Sequence, residues 1–279
     1  MLRVLKAGFF STIQDNGRFG LLNKGVPVAG VMDSYSATKL NKLLENELNA
    51  AVMEITMTGP TIEFLEPTYF CAGGADIMMT LNNNPIQQFT VYQVQKGDIL
   101  SYGKLVKGFR NYLAVKGGFL TPEILHSRSY FYPITEHSQL KDGVEIDIDI
   151  CEVYSPKVTE LQIGSFLNES LLEVSKGPEF ELLSDRQLEK IFTKSFSIAK
   201  EYNRMAYQLE ELIEQHKHNM LTSATLPGTI QLTPAGKLII LMKDGQTTGG
   251  YPRILQLSDK AISILAQKKY KDQVSFKLV

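Results

Sequence analysis

The 279-residue sequence contains no tryptophan, only two cysteines and no long apolar run. Two cysteines form at most one disulfide, so nothing points to a disulfide-stabilised scaffold, and a reducing compartment fits best. A membrane-spanning helix needs about 20 consecutive apolar residues, and no segment approaches that length. The N-terminus lacks the apolar core and the cleavage site of a signal peptide. We therefore expect a soluble, cytoplasmic protein that does not bind to membranes.

A charge imbalance is also absent. The net charge is −1, which gives no electrostatic basis for binding nucleic acid or an anionic membrane. The glycine-rich loops that hold ATP or dinucleotide phosphates are missing, as are the His-Glu-x-x-His, Cys-x-x-Cys and Gly-x-Ser-x-Gly motifs. Lys243 lacks the flanking residues of a biotin-acceptor hairpin, and His216 and His218 are interpreted as part of a solvated polar strand. We predict no metal site and no cofactor bound by this chain alone.

Short segments rich in β-branched and aromatic residues fill most of the chain, and 43% of its residues are apolar. Turn signals separate these segments at intervals of roughly 8–12 residues, which is typical of an antiparallel sandwich or barrel. The predicted turns include Thr58-Gly59-Pro60, Gly73-Gly74, Asn82-Asn83-Asn84-Pro85 and Lys107-Gly108. The sequence therefore predicts a mainly β protein with a few short helices.

Capping residues and apolar spacing locate those helices. Helical spacing extends from Ser34 to Leu48, where either Asp33 or Ser34 can cap the first turn. The Ser184–Gln187 segment has the pattern of a capping box, and a last short helix is predicted to start at Ser258. The first strand is predicted over Leu2–Phe10.

The length suits two domains of moderate size. A second half begins near Cys151–Thr159, so we divide the chain into an N-terminal subdomain, residues 1–158, and a C-terminal subdomain, residues 159–279. Exchange of strands between the two subdomains is left open.

A glycine-rich loop, Asp244–Pro252, lies between two strand-like segments, Leu238–Met242 and Ile254–Leu257. Its three glycines and two threonines carry little side-chain bulk, so the backbone can approach a ligand closely or turn with positive φ. One interpretation is a hairpin loop whose glycines serve geometry alone. The other is a ligand-binding loop held in place by the two strands.

Asp15 and Arg18 form a second polar cluster, together with the glycine between them. A structural ion pair that fixes this loop is one interpretation. In the other, Arg18 grips a carboxylate or phosphate and Asp15 orients it, because a guanidinium matches such planar anions.

Two further clusters are candidates. Asn41 on the predicted helix, with Glu54 and Thr58 on the following strand, can bridge helix and sheet by hydrogen bonds or line a site. Arg204 lies in a strand-like segment and would be costly to bury unpaired. It therefore needs an anionic partner from the protein or from a ligand.

Taken in order, the chain carries a series of short motifs: Thr12-x-Gln14-Asp15-x-Gly17-Arg18-x-Gly20, Gly25-x-Pro27, Met32-Asp33, Asn41, Glu54, Gly59-Pro60, Arg110-Asn111-Tyr112-Leu113-Ala114-Val115-x-Gly117-Gly118, Ser127-Arg128-Ser129, Gly177-Pro178, Arg204-Met205, Gly228-Thr229-Ile230-Gln231 and Asp244-x-Gln246-Thr247-Thr248-Gly249-Gly250-Tyr251-Pro252. This series resembles the KipA family, also called allophanate hydrolase subunit 2, the biotin-dependent carboxyltransferase-like family and the C subunit of 5-oxoprolinase. The resemblance covers essentially the whole chain and rests on the order and spacing of the motifs together.

The resemblance implies a pair of cyclophilin-like β-barrel subdomains packed together. It also implies two partners, a KipI-type subunit (the B subunit of 5-oxoprolinase) and a LamB/YcsF-type subunit (the A subunit). The three look like an ATP-dependent 5-oxoprolinase that opens 5-oxo-L-proline to L-glutamate, with ATP used by the complex. This chain is expected to be inactive alone.

The implied chemistry involves an anionic substrate and a developing oxyanion, which call for arginine and oriented backbone N–H groups. The candidate catalytic residues are Asp15, Arg18, Arg204 and Asp244. The candidate substrate-binding residues are Gln14, Arg18, Asp33, Asn41, Glu54, Arg204, Gln246, Thr247, Thr248, Gly249, Gly250 and Tyr251.

Three positions depart from the family pattern. Gln208 replaces an arginine, Ala206 replaces a glycine, and His126 stands where a glycine usually precedes Ser127. The positive charge lost at position 208 bears on the identity of the substrate.

Two other functions stay open. One is a carboxyltransferase or allophanate hydrolase-type module that acts on urea, with biotin carried by a partner. The other is a non-catalytic KipI antagonist that regulates a sporulation kinase.

Overall fold

Strands are the main regular secondary structure, which confirms the predicted mainly β fold class. The computed structural model describes residues 1–162, 166–218 and 220–279, which form 18 strands and three α-helices. The helices are α1 (Ser34–Leu43), α2 (Asp185–Thr193) and α3 (Asp259–Ala266). Short 3-10 helices lie at Leu22–Lys24, Phe166–Asn168 and Phe180–Leu182. None of the described helices is long and apolar enough to cross a membrane.

The chain divides into two units. Unit 1 comprises Met1–Gly17 and Asp33–Leu167, and unit 2 comprises Arg18–Met32 and Asn168–Val279. The sequence predicted a boundary after residue 158. In the structure, the chain leaves unit 1 after Leu167. The early segment Arg18–Met32 is also part of unit 2.

Unit 1 is built on one nine-stranded sheet. Its strands are β1 (Leu2–Lys6), β2 (Phe10–Gln14), β3 (Val52–Thr56), β4 (Thr61–Phe64), β5 (Thr68–Leu81), β6 (Asn84–Pro85), β7 (Tyr92–Val94), β8 (Ile99–Val115) and β9 (Glu145–Ile146). The main path is β2-β3-β8-β4-β1-β9, with β5 paired to β8, and β6 and β7 paired to β5. No ladder between described residues joins the two ends, so this sheet is a curled half-barrel.

The longest strands, β5 and β8, pair from Phe70 opposite Val115 to Leu81 opposite Leu100. Their register shifts repeatedly after Gly74, and such bulges bend a strand without ending it. The turns predicted at Gly73-Gly74 and Lys107-Gly108 are therefore wrong, because these glycines lie inside β5 and β8.

The strand predicted over Leu2–Phe10 ends earlier, because β1 stops at Lys6 and Phe10 is the first residue of β2. Gly8 between them has a φ of 77°, and a Cβ there would lie 2.3 Å from the Thr58 carbonyl oxygen. Only glycine fits this break, which the apolar pattern of the sequence does not reveal.

Helix α1 begins as predicted and ends earlier. Asp33 caps it, because its side chain accepts a hydrogen bond from the Ser36 N–H (3.0 Å). The helix ends at Leu43, since Glu45 has a left-handed φ of 51°. Asn46 then donates its Nδ2 to the Val115 carbonyl (2.8 Å). The predicted extension to Leu48 is therefore wrong.

Unit 2 contains a closed seven-stranded barrel with the order β10-β17-β14-β15-β12-β11-β18. The unit's strands are β10 (Leu171–Lys176), β11 (Phe196–Tyr202), β12 (Ala206–Leu209), β13 (Ser223–Ala224), β14 (Thr229–Leu232), β15 (Leu238–Leu241), β16 (Thr248–Gly249), β17 (Arg253–Leu257) and β18 (Gln273–Leu278). The parallel pair of β10 and β18 closes it. Ile230, Ile240 and Leu255 lie opposite one another and are fully buried, which places them in the core.

The glycine-rich loop is not a hairpin. Its flanking strands β15 and β17 do not pair with each other, because β14 lies between them. The loop therefore crosses over β14, and its middle forms the short strand β16, which pairs with β13. The hairpin interpretation is wrong, because the partner of each flanking strand is distant in the sequence.

The predicted helix starts in unit 2 are confirmed. Ser184 and Gln187 form a capping box, in which the Ser184 N–H donates to Gln187 Oε1 (2.9 Å) and the Gln187 N–H donates to Ser184 Oγ (3.3 Å). Ser258 Oγ accepts a hydrogen bond from the Ala261 N–H (3.2 Å) and starts α3.

Candidate functional site

A chain of buried hydrogen bonds links the start of α1 to β3 in unit 1. Tyr112 Oη accepts a hydrogen bond from the Asp33 N–H (2.8 Å) and donates one to Glu54 (2.9 Å). Burial, and then the nearby carboxylates of Glu54 and Asp33, raises the pKa of Tyr112 well above its usual value, so the phenol stays protonated. Two candidate binding residues are thus brought together by a tyrosine that was not among the candidates.

Glu54 also faces a buried cation. Arg110 Nε on β8 lies 3.6 Å from Glu54 Oε1, and both side chains are at most 2% exposed. A buried carboxylate that already serves a guanidinium and a phenol is strongly committed to the protein. Glu54 is therefore better suited to fixing the β3–β8 pair than to contacting a substrate directly.

Asn41 does not join this network. Its Nδ2 donates to the Ala50 carbonyl (2.8 Å), and its Oδ1 accepts a hydrogen bond from Asn46 Nδ2 (3.2 Å). The expected cluster with Glu54 and Thr58 is wrong for Asn41, because its amide instead closes the loop that follows α1.

The Asp15 carboxylate accepts four hydrogen bonds within unit 1. Its Oδ1 accepts from the Gly17 N–H (2.8 Å) and from the hydroxyls of Ser127 and Ser129 (2.6 Å each). Its Oδ2 accepts from the Arg128 N–H (2.6 Å). A carboxylate has about four acceptor sites, and these bonds use most of that capacity, with three on Oδ1 and one on Oδ2. Asp15 therefore anchors a loop and is poorly placed to act as a general base.

The other two N-terminal candidates are fully buried. Gln14 Nε2 in unit 1 donates to Thr12 Oγ1 (3.0 Å) and to the Tyr130 carbonyl (3.3 Å). Arg18 belongs to unit 2, where its N–H donates to the Val28 carbonyl (2.6 Å). The four bonds of Asp15 do not include the ion pair with Arg18 that the sequence suggested. Since no part of the Arg18 side chain is exposed, it can reach a substrate only if the surrounding chain opens.

Arg204 has its anionic partner in the protein. Its Nε and Nη2 donate to the two carboxylate oxygens of Asp244 (2.8 and 2.9 Å), and its Nη2 also donates to the Gly30 carbonyl (2.7 Å). The two side chains are 8% and 17% exposed. Arg204 lies in the turn between β11 and β12, so its predicted place in a strand is wrong. Because a two-point pair fixes geometry, Arg204 and Asp244 hold the start of the glycine-rich loop.

The exposed part of that loop presents backbone N–H groups. Gln246, Gly250 and Tyr251 are exposed, and their N–H groups donate to no described residue. Thr225 holds the loop, because its N–H donates to the Thr247 carbonyl (3.0 Å) and its hydroxyl donates to the Gln246 carbonyl. Free N–H groups on a fixed loop are suited to binding an anion.

Gln231 on β14 lies beneath the same loop and was not among the candidates. It is 1% exposed, and its Nε2 has no hydrogen-bond partner in the described ranges. A Cβ on Gly249 would lie 2.3 Å from Gln231 Nε2 and 2.8 Å from Gln246 Nε2, so a side chain at this position would displace both amide groups. Gln231 could have been found from the sequence, because it belongs to the motif from Gly228 to Gln231. The same holds for Tyr112 in the motif that starts at Arg110.

The three departures from the family pattern have different explanations. His126 has a left-handed φ of 60°, and its side chain is 99% exposed, which suits a position where glycine is usual. Gln208 Oε1 accepts a hydrogen bond from Lys237 Nζ (3.3 Å), so a positive charge remains beside position 208. Nothing in the structure explains the alanine at position 206.

The paired histidines lie in an irregular segment, so the predicted strand there is wrong. His216 Nε2 lies 3.1 Å from the Leu232 carbonyl oxygen, and its Nδ1 accepts a hydrogen bond from the His218 N–H (3.1 Å). The protein thus engages both ring nitrogens of His216. Across the described part of the chain, no cluster of three or more His, Cys, Asp or Glu side chains could hold a metal ion.

Comparison with protein families gives a match over residues 24–278 to the carboxyltransferase domain, subdomain A and B. Among individual proteins, the C subunit of 5-oxoprolinase from Haemophilus influenzae is 30% identical over 287 residues. This alignment covers 100% of the chain and 91% of that protein.

Two solved structures extend the comparison. The crystal structure of TTHA0988 matches with a TM-score of 0.89 at 23% identity, over 99% of this chain and 56% of that one, and it shows the fold alone. The K. lactis urea amidolyase matches with a TM-score of 0.87 at 26% identity, over 99% of this chain and 18% of that one. The chain therefore spans about half of the first structure's chain and a small part of the second.

Proposed function

Because the chain belongs to the family of the carboxyltransferase domain, subdomain A and B, we propose that it is the C subunit of an ATP-dependent 5-oxoprolinase, which opens 5-oxo-L-proline to L-glutamate. The observation that carries this proposal is the similarity to the 5-oxoprolinase C subunit of Haemophilus influenzae, over the whole chain and 91% of that protein. The urea amidolyase match involves only 18% of that longer chain.

The chain works in this proposal with two partners, a KipI-type subunit and a LamB/YcsF-type subunit. It has no glycine-rich phosphate loop of its own. ATP is therefore used by the complex, and the chain is inactive alone.

The chemistry explains why ATP is needed. A lactam amide is a poor electrophile, and phosphorylation of its carbonyl oxygen supplies a leaving group. The substrate also carries a carboxylate, so the site must bind an anion and stabilise developing charge on oxygen. The free N–H groups of Gln246, Gly250 and Tyr251 are suited to this task, while Arg204 and Asp244 position the loop. The unpaired Nε2 of Gln231 beside Gly249 is a further donor for an acceptor group that enters there.

Reconstitution from purified subunits tests this proposal. The chain is mixed with the KipI-type and LamB/YcsF-type subunits, and glutamate release from 5-oxo-L-proline is measured with and without ATP. We expect release only when all three subunits and ATP are present. Release of the same size without this chain, or no release with all three, would contradict the proposal.

A second candidate is a carboxyltransferase module that acts on urea. It is favoured by the likeness of the whole chain to part of the K. lactis urea amidolyase, with a TM-score of 0.87. The biotin would come from a partner, since Lys243 lacks the surroundings of an acceptor lysine. Recovery of a biotinylated protein bound to the chain, together with urea-dependent ATP hydrolysis, would support this candidate over the first.

A further inference from the structure

The glycine-rich loop of unit 2 is paired with a very short strand. β13 and β16 are two residues long each and form a two-stranded sheet of their own. Thr225, which follows β13, adds two bonds, because its N–H donates to the Thr247 carbonyl (3.0 Å) and its hydroxyl donates to the Gln246 carbonyl. An isolated pair of strands is only marginally stable in water. The position of the loop therefore depends on what fixes β13.

Arg253 connects β13 to the barrel, and it was not among the candidates. It directly follows the loop and is the first residue of β17. Its Nη1 donates to the carbonyl of Ala224 in β13 (2.5 Å). β17 lies between β10 and β14 in the closed barrel. This hydrogen bond thus joins the short strand to one that is paired on both sides.

Glu179 fixes the direction of the Arg253 guanidinium. Its carboxylate accepts hydrogen bonds from Arg253 Nε (2.9 Å) and Nη2 (2.6 Å), and also from the Arg253 N–H (2.9 Å). The two side chains are 18% and 19% exposed. A guanidinium is planar, so a two-point pair with one carboxylate sets the direction of the remaining nitrogen. In this structure that nitrogen is Nη1, which binds Ala224.

We propose that Arg253 is a positioning residue for the glycine-rich loop, and that Glu179 orients it. Arg253 holds β13, and β13 together with Thr225 holds the loop. The loop in turn keeps its N–H groups in the geometry that binds an anionic substrate. This inference rests on the proposed function, in which those N–H groups bind 5-oxo-L-proline. Arg253 acts through the backbone and does not contact the substrate.

Amide hydrogen exchange of the ¹⁵N-labelled full chain tests the positioning step without any substrate. Arg253→Lys keeps the positive charge, but a single ammonium group does not reproduce the fork that also reaches Ala224. We expect exchange of the Thr225 N–H to accelerate about tenfold, the order expected when a hydrogen bond from a charged donor is lost. The Ile213 N–H donates to the Gly236 carbonyl (2.9 Å), outside this link, and its exchange should not change.

The reconstituted complex tests what this position does for the reaction. Arg253→Lys should lower kcat/KM for 5-oxo-L-proline about tenfold, because the loop is misplaced, and it should leave KM for ATP unchanged. The matched control is Arg186→Lys, which alters an exposed arginine of unit 2 and should keep both values.

Thr225 allows an independent test of the next step. Thr225→Val removes the hydroxyl that donates to the Gln246 carbonyl and should lower kcat/KM for 5-oxo-L-proline in the same way. Thr225→Ser retains the hydroxyl and should keep kcat/KM.

The two measurements separate failure of this inference from failure of the proposed function. Absence of glutamate release from the natural complex would contradict the proposed function, and hydrogen exchange would still decide whether Arg253 positions the loop. Unchanged exchange at Thr225 in Arg253→Lys, equal acceleration at Thr225 and Ile213, or full kcat/KM in spite of a loosened loop would each overturn the inference.

Discussion

Buried polar side chains bind one another in each of the two units. In unit 1, Tyr112 joins Asp33 to Glu54, and in unit 2 Arg204 joins Asp244 to Gly30. These side chains are committed to the protein, so their removal acts first on geometry and stability. In the proposed function, the groups available to a substrate are the backbone N–H groups of Gln246, Gly250 and Tyr251, which donate to no described residue.

The Tyr112 hydroxyl provides a direct test of the unit 1 network. Tyr112→Phe should lower the free energy of unfolding by about 1–3 kcal/mol, because it leaves the Asp33 N–H and a Glu54 oxygen without a buried partner. Urea unfolding with an unchanged m value measures this. Tyr35→Phe is the control, since that hydroxyl only accepts a hydrogen bond from exposed Lys39 (2.6 Å). Equal stabilities for the two variants would contradict the assigned role of Tyr112.

The variant Gly250→Ala tests whether the loop backbone contacts the substrate, because it should leave the geometry of the loop unchanged. A Cβ there meets no atom within 4 Å, so Gly250→Ala should change stability by less than about 0.5 kcal/mol. If the loop backbone contacts the substrate, the added methyl group displaces it, and kcat/KM of the reconstituted complex should fall about tenfold or more.

Gly249→Ala is the matched comparison for Gly250→Ala. Its methyl group would lie 2.3 Å from Gln231 Nε2, so it should lower both stability and activity. A Gly250→Ala variant with full activity would rule out close contact between this part of the loop and the substrate.

For whole helices and strands, capping and strand pairing explain which predictions were confirmed. The starts of α2 and α3 were predictable, because a capping box or a serine cap is read within four residues. The bulged strands and the crossover loop were not, because they depend on pairing with β8 and β14, which lie far away in the sequence. Likewise, the need of Arg204 for an anion was predictable, and its partner Asp244, 40 residues away, was not.

The ion pair of Glu179 and Arg253 ties β17 to the segment that follows β10, and it gives a pH-dependent prediction. The Glu179 carboxylate accepts hydrogen bonds from Arg253 Nε (2.9 Å) and Nη2 (2.6 Å). These side-chain hydrogen bonds lower the pKa of Glu179 below its usual 4.5. A lowered carboxyl pKa stabilises the fold above the unfolded-state pKa, and this stability is lost as pH falls through the folded-state pKa.

Glu179→Gln should therefore be less stable than the natural chain at pH 7. The difference should shrink as pH is lowered below 4.5, the usual pKa of this group. Urea unfolding of both proteins from about pH 7 to pH 3 measures the difference directly. Glu181→Gln is the control, because Glu181 is 82% exposed in its pair with Lys176 and should contribute little at any pH. A difference for Glu179→Gln that stays constant with pH would contradict the assigned ion pair.

At the scale of the whole molecule, the same fold occurs as a separate subunit in one relative and within a much longer chain in another. A shared fold does not by itself define the reaction. The mainly β class followed from the turn spacing, and the closed barrel of unit 2 agrees with it, whereas the likeness of either unit to cyclophilin stays a prediction. The place of Arg18–Met32 in unit 2 could not be predicted, because it depends on long-range contacts.

Segment Arg18–Met32 should be required for the full stability of unit 2. Its Ala29 N–H donates to the Lys243 carbonyl (2.8 Å), and its Gly30 carbonyl accepts a hydrogen bond from Arg204 Nη2 (2.7 Å). A fragment of residues 168–279 alone loses both bonds, and one of them involves a charged group. Joining residues 18–32 to that fragment through a flexible Gly/Ser linker should raise its free energy of unfolding by about 2 kcal/mol or more.

The matched control joins a scrambled 18–32 sequence through the same linker, so that chain length and composition are equal. Urea unfolding of the three fragments then separates specific bonding from a general effect of added chain. The bonds to Lys243 and Arg204 hold two segments that meet at the start of the glycine-rich loop, since the Asp244 N–H also donates to the Arg204 carbonyl (2.9 Å). Their loss should therefore loosen the loop as well as the barrel. Equal stability of the natural and scrambled fusions would show that unit 2 folds without this segment.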